Sequence, residues 1–169
     1  VVGAELLQDT GATQIADVLN NLPAFKGDYS ASATGPRSFA SPGAAFANLR
    51  SLGSQRTLTM VNGRRIVPST TSGQADLNII PSILIDHVDI VTGGSSAAYG
   101  SDAIAGVVNV VLKQRLDGLI GDVSYNESSH HDDMETHVGL AGGMPLAGGR
   151  IHITAGGEYV ENKGAGNPY

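Results

Sequence analysis

The segment from Ile80 to Lys113 constrains the fold more than any other part of the chain. It reads IPSILIDHVDIVTGGSSAAYGSDAIAGVVNVVLK, in which two apolar runs flank a turn of glycine, serine and alanine. The run from His87 to Thr92 predicts one strand, and the β-branched run VVNVVLK predicts a second strand of the buried kind. Gly93 and Gly94 permit a sharp bend between them. These residues predict a rigid small domain rather than an active site.

Four further residues of this segment have predicted structural tasks. Pro81 fits the first turn of a short helix that ends near Ile85. Tyr99 can bury its ring while its hydroxyl reaches a partner. Gly106 allows close backbone packing where the final strand begins. Asn109 lies among valines, so a backbone group or a surrounding wall must satisfy its amide.

The sequence before this segment alternates between regular elements and loops. In TQIADVLNNLP, apolar residues recur at i, i+3, i+4 and i+7, which predicts a helix from about Thr13 to Leu22. Residues 26–47 have no period and predict a long loop. RTLTMVNGRRIVP predicts a hairpin, because Asn62-Gly63 supplies the two positive-φ positions of a type I′ turn. Residues 68–76 predict a second polar loop.

After Lys113 the chain alternates apolar and polar residues in three segments of roughly ten residues each. This pattern is typical of outer-membrane β-strands, which turn apolar residues to lipid and polar residues to the lumen. One-sided soluble sheets alternate in the same way. The apolar positions are Leu119, Gly121, Val123 and Tyr125, then Val138, Leu140, Gly142 and Met144, then Ile151, Ile153, Ala155 and Tyr159.

The composition excludes several classes of site. Charged residues make up 15% and hydrophobic residues 41%, so the chain has enough apolar surface to fold. The net charge of −6 argues against a nucleic-acid partner, which needs a basic surface. Cysteine is absent, which excludes disulfides, thiolate zinc sites and cysteine nucleophiles.

The segment from 80 to 113 resembles the signature of TonB-dependent receptor plugs. QIADVLNNLPAF resembles the first helix of that family, and ANLRSLGSQRTLTMVNGRRIVPS resembles its hairpin. The likeness covers roughly residues 1–113, and the family's barrel begins after it. The residues that carry the signature are Pro81, Asp89, Gly93, Ser96, Tyr99, Gly100, Gly106, Val107, Asn109 and Lys113.

The resemblance implies an α+β fold, with a plug of small mixed sheet and short helices at 1–113. Residues 114–169 would be antiparallel hairpins of an incomplete outer-membrane barrel, which in the family has about 22 strands. The implied function is energised uptake of a scarce nutrient, such as a siderophore, vitamin B12, a metal or a saccharide. We expect the plug to gate the pore without catalysis, cofactor or bound metal of its own.

The implied partners are TonB, the rest of the barrel, outer-membrane lipid and a small-molecule substrate, in a Gram-negative outer membrane. The TonB-binding segment is expected before Val1, and further alternating segments are expected after Tyr169. No nucleic acid is expected.

The resemblance also implies which residues anchor the plug and which face substrate. Arg50 is the expected plug–barrel anchor, although the family's Leu-Arg-Gly reads Leu-Arg-Ser here. Asp89, in an apparently buried strand, needs a partner either inside the plug or on the barrel. A second basic anchor is replaced by Thr92. The loops expected to face substrate are 35–45, 53–55 and 68–74, with Arg37, Gln55, Ser69 and Thr71 as candidates.

Other interpretations of single motifs are weaker. No lysine follows Gly100 until Lys113, so the glycine-rich turn does not match a phosphate-binding loop. Ser96 lacks a convincing base, since His87 lies on the same local unit. His130 and His131 could suggest a metal site, but adjacent residues of a strand or turn point apart. The pair therefore predicts a solvated turn. Arg64 and Arg65 predict a solvated hairpin end. A soluble β-rich protein-binding domain remains the alternative for the whole chain.

Overall fold

A computed structural model describes residues 2–3, 15–20, 22–25, 44–127 and 134–163. The chain divides into two compact units. The first comprises Val1–Ile80 and Ile85–Leu112, and the second comprises Pro81–Leu84 and Lys113–Tyr169. The predicted boundary after Lys113 differs from this division at Lys113 itself and at the four residues 81–84.

The first unit is built on a mixed five-stranded sheet with the strand order β1-β4-β5-β2-β3. Strands β2 and β5 are parallel, and the other neighbours are antiparallel. The small mixed sheet with short helices that the sequence predicts is therefore confirmed. The strands are β1 (Val2–Gly3), β2 (Thr57–Val61), β3 (Arg64–Arg65), β4 (Ile85–Thr92) and β5 (Gly106–Leu112).

The helices of this unit are short. Helix α1 spans Ile15–Asn20 and α2 spans Ser96–Tyr99. The apolar side chains Ile15, Val18 and Leu19 of α1 are buried, as the helical period predicts, whereas Leu22 lies beyond the helix. Thr13 lies outside the described residues. Single 3₁₀ turns occur at Ser54–Arg56, Leu77–Ile79 and Ser101–Ala103.

The core of the first unit lies between α1 and the central strands. Val88, Val108 and Val110 of β4 and β5 are almost fully buried, together with Leu49 and Leu77 from the connecting segments. Burial of β-branched residues on the central strand is what the VVNVVLK run predicts, because a central strand offers no solvated edge.

The predicted hairpin is confirmed. Asn62 and Gly63 have φ values of 50° and 74°, and β2 and β3 pair on either side of them. The amide of Gly63 donates to Oδ1 of Asn109 at 2.8 Å, and the amide of Leu112 donates to Oδ1 of Asn62 at 2.9 Å. The turn is thus bonded to the end of β5, and a backbone group satisfies the Asn109 amide oxygen.

The second unit is an antiparallel meander with the order β6-β7-β8. The strands are β6 (Gly118–Glu127), β7 (Met134–Leu146) and β8 (Ile151–Lys163), and a 3₁₀ turn spans Ser82–Leu84. The antiparallel strands predicted after Lys113 are confirmed. No helix among the described residues is long and apolar enough to cross a membrane.

Candidate functional site

Three connecting segments of the first unit emerge at one end of its sheet. Gly106, the first residue of β5, pairs with Thr57 at the start of β2 and with Thr92 at the end of β4. The segments before Thr57, after Arg65 and between Thr92 and Gly106 therefore all lie at this end. The Asn62-Gly63 turn lies at the other end, together with the start of β4 and the end of β5.

The turn between β4 and β5 is shaped by its glycines. Gly93, Gly94 and Gly100 have φ values of 81°, 62° and 89°, in the region that favours glycine. At Gly106, a Cβ atom would clash with the carbonyl oxygen of Val91. The close backbone approach that the sequence predicts at this position is thus present. The side chain of Tyr99, however, is 41% exposed, so its ring is not enclosed within this unit.

Arg65 joins this turn to the hairpin. Its Nη1 lies 2.7 Å from Oδ2 of Asp102, and its Nη2 donates to the carbonyl oxygen of Tyr99. The hydrogen bond from Arg65 lowers the pKa of the Asp102 carboxyl below its usual value. Arg64 and Arg65 are exposed at the end of the hairpin, as predicted, but Arg65 is in addition paired with this turn. No local signal could have revealed the pair, because 37 residues separate its partners.

The loop from 66 to 76 is bonded to the turn before β2. Nε2 of Gln74 donates to Oγ of the buried Ser54, and the amides of Ser69 and Thr70 donate to the carbonyl oxygen of Gln74. Oδ1 of Asp76 accepts from the amides of Ala45 and Asn78, at 2.9 and 3.0 Å. The polar side chains of this region therefore hold three segments together.

Three of the four predicted substrate-facing residues lie on these bonded loops. Gln55 is next to Ser54, while Ser69 and Thr71 flank Thr70, and all three candidates are exposed. Oγ of Ser69 accepts from the amide of Asp76, so part of its hydrogen-bonding capacity is used within the loop. Arg37 lies outside the described residues. The structure thus brings Gln55, Ser69 and Thr71 to the same end of the sheet.

The two predicted anchoring residues have different environments. Arg50 is exposed and has a φ of 55°, and Ser51 has a φ of 57° at the position where the family has glycine. The sequence predicts that Asp89 needs a partner, either inside the plug or on the barrel. Its side chain is 37% exposed, and its Oδ2 lies 3.6 Å from Nε2 of His87. Alternation along β4 accounts for this, because Val88 takes the buried side and Asp89 the other.

The strands of the second unit expose their apolar face. Alternating residues on the opposite face are more enclosed, and His137, Gly139 and Ala141 are buried. This is the reverse of a one-sided soluble sheet, which buries its apolar residues. The exposed large apolar side chains of these strands are Leu119, Val123, Tyr125, Met134, Val138, Leu140, Met144, Leu146, Ile151, Ile153 and Tyr159. His130 and His131 lie outside the described residues.

Comparison with known families decides what this arrangement is. The sequence model of the TonB-dependent Receptor Plug Domain matches residues 1–107 of the 169-residue chain. The chain belongs to this family. The resemblance drawn from the signature residues is therefore confirmed.

Solved structures are similar to the plug-family chain along almost its whole length. The siderophore receptor PirA from Pseudomonas aeruginosa matches 97% of this chain with a TM-score of 0.69 and 19% identity, over 28% of its own length. PirA from Acinetobacter baumannii matches 95% with a TM-score of 0.71 and 23% identity, over 24% of its length. The ferric citrate transporter FecA matches 90% with a TM-score of 0.63 and 18% identity, over 23% of its length.

These likenesses show the fold, which joins a receptor plug to the first strands of a barrel. Their identities of 18–23% leave the ligand of this plug-family protein undetermined. The chain spans about a quarter of the length of these structures.

Proposed function

We propose that the complete protein is a TonB-dependent transporter of a Gram-negative outer membrane, and that the first unit is its gate. One observation carries the proposal: a plug-family domain continues within a few residues into strands whose apolar side chains face outward. Outward apolar side chains on antiparallel strands suit a lipid-facing wall, and open strand edges in lipid require more strands to close the barrel.

The boundary that goes with this function is a plug at 1–113 and the first barrel strands at 114–169. Arg50 and Asp89 are the proposed plug contacts to the barrel, because the Arg50 side chain is exposed and the Asp89 carboxylate is partly exposed. TonB would act on a segment that precedes Val1. The mechanism makes and breaks no covalent bond, so the protein is proposed not to be an enzyme.

The proposed substrate surface is the end of the sheet where Gln55, Ser69 and Thr71 are exposed, with Arg37 on the preceding loop. The amide of Gln55 and the hydroxyls of Ser69 and Thr71 suit a ligand that both donates and accepts hydrogen bonds. The proposed substrate is a scarce nutrient, either a siderophore, vitamin B12, a metal complex or a saccharide. The names of the similar receptors make ferric siderophores and ferric citrate the first probes to use.

Uptake in cells tests the proposal. Cells that express the full-length receptor receive radioactive iron as ferric enterobactin or ferric citrate, and radioactive vitamin B12 in a parallel series. We expect uptake of one probe that disappears in cells without TonB and after addition of a protonophore. Uptake that persists in both conditions would contradict energised transport.

The substrate surface has its own matched control. Gln55→Ala and Thr71→Ala each remove a hydrogen-bonding group, so we expect the half-saturating probe concentration to rise about fivefold, the equivalent of one net hydrogen bond. Arg64→Ala changes an equally exposed side chain at the other end of the sheet and should leave this concentration unchanged. Equal effects of all three variants would contradict the placement of the site.

A further inference from the structure

The four residues Pro81–Leu84 belong to the strand unit although the chain on both sides of them belongs to the first unit. The chain leaves the first unit at Ile80 and re-enters it at Ile85, where β4 begins. Within the second unit these residues form a 3₁₀ turn at Ser82–Leu84. The sequence of the first unit is therefore interrupted by four residues that pack with the strands. Any rearrangement of the first unit must either leave these residues in place or detach them.

A nearly buried carboxylate of β8 holds this turn. Oε2 of Glu158 accepts from the amide of Ser82 at 2.8 Å and from its hydroxyl at 2.7 Å. The Glu158 side chain is only 14% exposed. A carboxylate that accepts two hydrogen bonds while shielded from water makes strong contacts, and the turn cannot leave without breaking both of them.

His137 of β7 fixes the position of that carboxylate. Its side chain is 3% exposed, and its Nε2 lies 3.2 Å from Oε2 of Glu158. Its Nδ1 lies 3.2 Å from Oδ1 of Asp122 on β6. Both ring nitrogens thus face carboxylate oxygens. The three strands together position the acceptor for Ser82.

Glycines of the strands make room for the apolar side chains of the turn. A Cβ atom at Gly139 would lie 3.4 Å from Cδ1 of Ile83, and one at Gly156 would lie 3.0 Å from Cγ of Leu84. The two side chains therefore pack directly on the strand backbone. A Cβ atom fits at Gly139 in ordinary contact with Ile83, whereas one at Gly156 would push on the side chain of Leu84.

The start of the second unit adds two backbone contacts. The amide of Lys113 donates to the carbonyl oxygen of Leu84 at 2.8 Å, and its Nζ donates to that of Ile83 at 3.0 Å. The turn is consequently bonded through the side chain of Ser82 and the backbone of three of its residues, and it is packed through its apolar side chains.

We propose that Pro81–Leu84 is a fixed anchor that stays seated on the strand sheet while substrate passes. The gate would then consist of the two chain segments on either side of the anchor, and Glu158 would be the positioning residue that holds it. This inference rests on the proposed transport function, since only a transporter has a passage step during which the anchor could stay or leave.

A single engineered disulfide tests the anchor. The chain has no cysteine, so Ile83→Cys with Gly139→Cys in the full-length receptor would introduce one possible pair within it. The Cβ of Ile83 lies 3.6 Å from the position of a Cβ at Gly139, which is within the normal range for a disulfide. We expect the bond to form in outer membranes under mild oxidation, detected by mass spectrometry of the joined peptides.

The matched control is Ile83→Cys with Leu140→Cys, because Leu140 is the next residue of β7 and points to the exposed apolar face. We expect no bond in this variant. Adding Glu158→Gln to the first pair should slow formation of the bond, because it replaces the charged acceptor of Ser82. Failure of the first pair to link, or equal linking of both pairs, would overturn the seating of the turn.

Uptake then shows whether the anchor stays seated. With ferric enterobactin, ferric citrate and vitamin B12 as probes, we expect the oxidised receptor to take up its substrate as fast as the same receptor after reduction. Loss of uptake on oxidation that returns on reduction would overturn the proposal. A receptor that links as expected while its uptake persists without TonB and with a protonophore would instead contradict the proposed function and leave the seating supported.

Discussion

Among the glycines that the structure describes in the first unit, Gly106 leaves the least room for a side chain. Its φ of 146° lies in a region that side chains rarely adopt, and a Cβ atom would meet both the carbonyl oxygen of Val91 and Cδ1 of Leu49, the latter at 2.8 Å. The residue starts β5, where the strand begins to pair with β2 and β4. The close packing of three strands at this point therefore depends on the missing side chain.

We predict that Gly106→Ala destabilises the receptor more than Gly53→Ala. Gly53 also has a positive φ, of 100°, but no atom lies within 4 Å of its added Cβ. Backbone strain costs about 1–2 kcal/mol at either position, and the clash at Gly106 adds about 1–3 kcal/mol. Denaturant titration of the full-length receptor measures both free energies of unfolding. Equal losses would contradict the steric reason.

The ion pair between Arg65 and Asp102 predicts a dependence of stability on pH. Because the pKa of Asp102 is lower in the folded state, the pair stabilises the fold above the unfolded carboxyl pKa of about 3.9. This stabilisation is lost as the pH falls through the lowered folded-state value. Both side chains are exposed, so the effect is small.

The test compares the unfolding midpoint of Asp102→Asn with that of the unsubstituted receptor at neutral and strongly acidic pH. We expect a lower midpoint for the variant at neutral pH and no difference in acid. In the Arg65→Gln background, the same substitution should have no effect at either pH. A difference that grows in acid would show that the pair is not its cause.

At the residue scale, sequence reasoning succeeded where one residue's own chemistry sets the constraint. Gly106 must lack a side chain because the strands are close together there, and the amide of Asn109 must find a hydrogen-bond partner. Both requirements follow from the residue itself. Arg65 could not be assigned, because its partners come from a distant part of the chain. The need of Asp89 for a partner could be predicted, but its place on the more exposed side of β4 follows only from the alternation of the folded strand.

The strands of the first unit bury apolar side chains, whereas those of the second unit expose them. Strands β6, β7 and β8 expose apolar side chains on one face and enclose His137 and Glu158 on the other. Sequence alternation predicted which residues share a face. It could not predict which face is exposed, because soluble and membrane strands share the same period.

We predict that Leu140→Lys destabilises the full-length receptor in phospholipid vesicles by about 2–4 kcal/mol, as expected for a charge facing the middle of the bilayer. Leu140 is 55% exposed on the apolar face of β7. The control Leu140→Phe keeps the side chain apolar and should cost far less. Equal unfolding free energies for the two variants would contradict the assignment of this face to lipid.

The pairing of elements was less accessible from sequence than the elements themselves. The Asn62-Gly63 dipeptide predicts its hairpin, because the turn requires those two backbone conformations. The parallel pairing of β2 with β5 joins residues about fifty positions apart and leaves no local pattern. The placement of Pro81–Leu84 with the strands is equally invisible, since it depends on Glu158 and on two distant glycines.

At the scale of the whole molecule, a plug-family domain is followed by strands that we propose form part of a lipid-facing wall. The family assignment rests on residues 1–107, and the similar solved structures extend the fold through the strands that follow. Blocking a pore is the function that such a domain performs in the proposed transporter. The block does not depend on which substrate is carried, so it can be measured without knowing the substrate.

The most direct measurement is the conductance of single receptors in planar lipid bilayers, with and without residues 1–107. Circular dichroism first has to show that the strands fold in both proteins. The account predicts that the intact receptor conducts almost no current and that removal of 1–107 opens a large, stable channel. Equal conductance of the two folded proteins would contradict the claim that this domain is the gate.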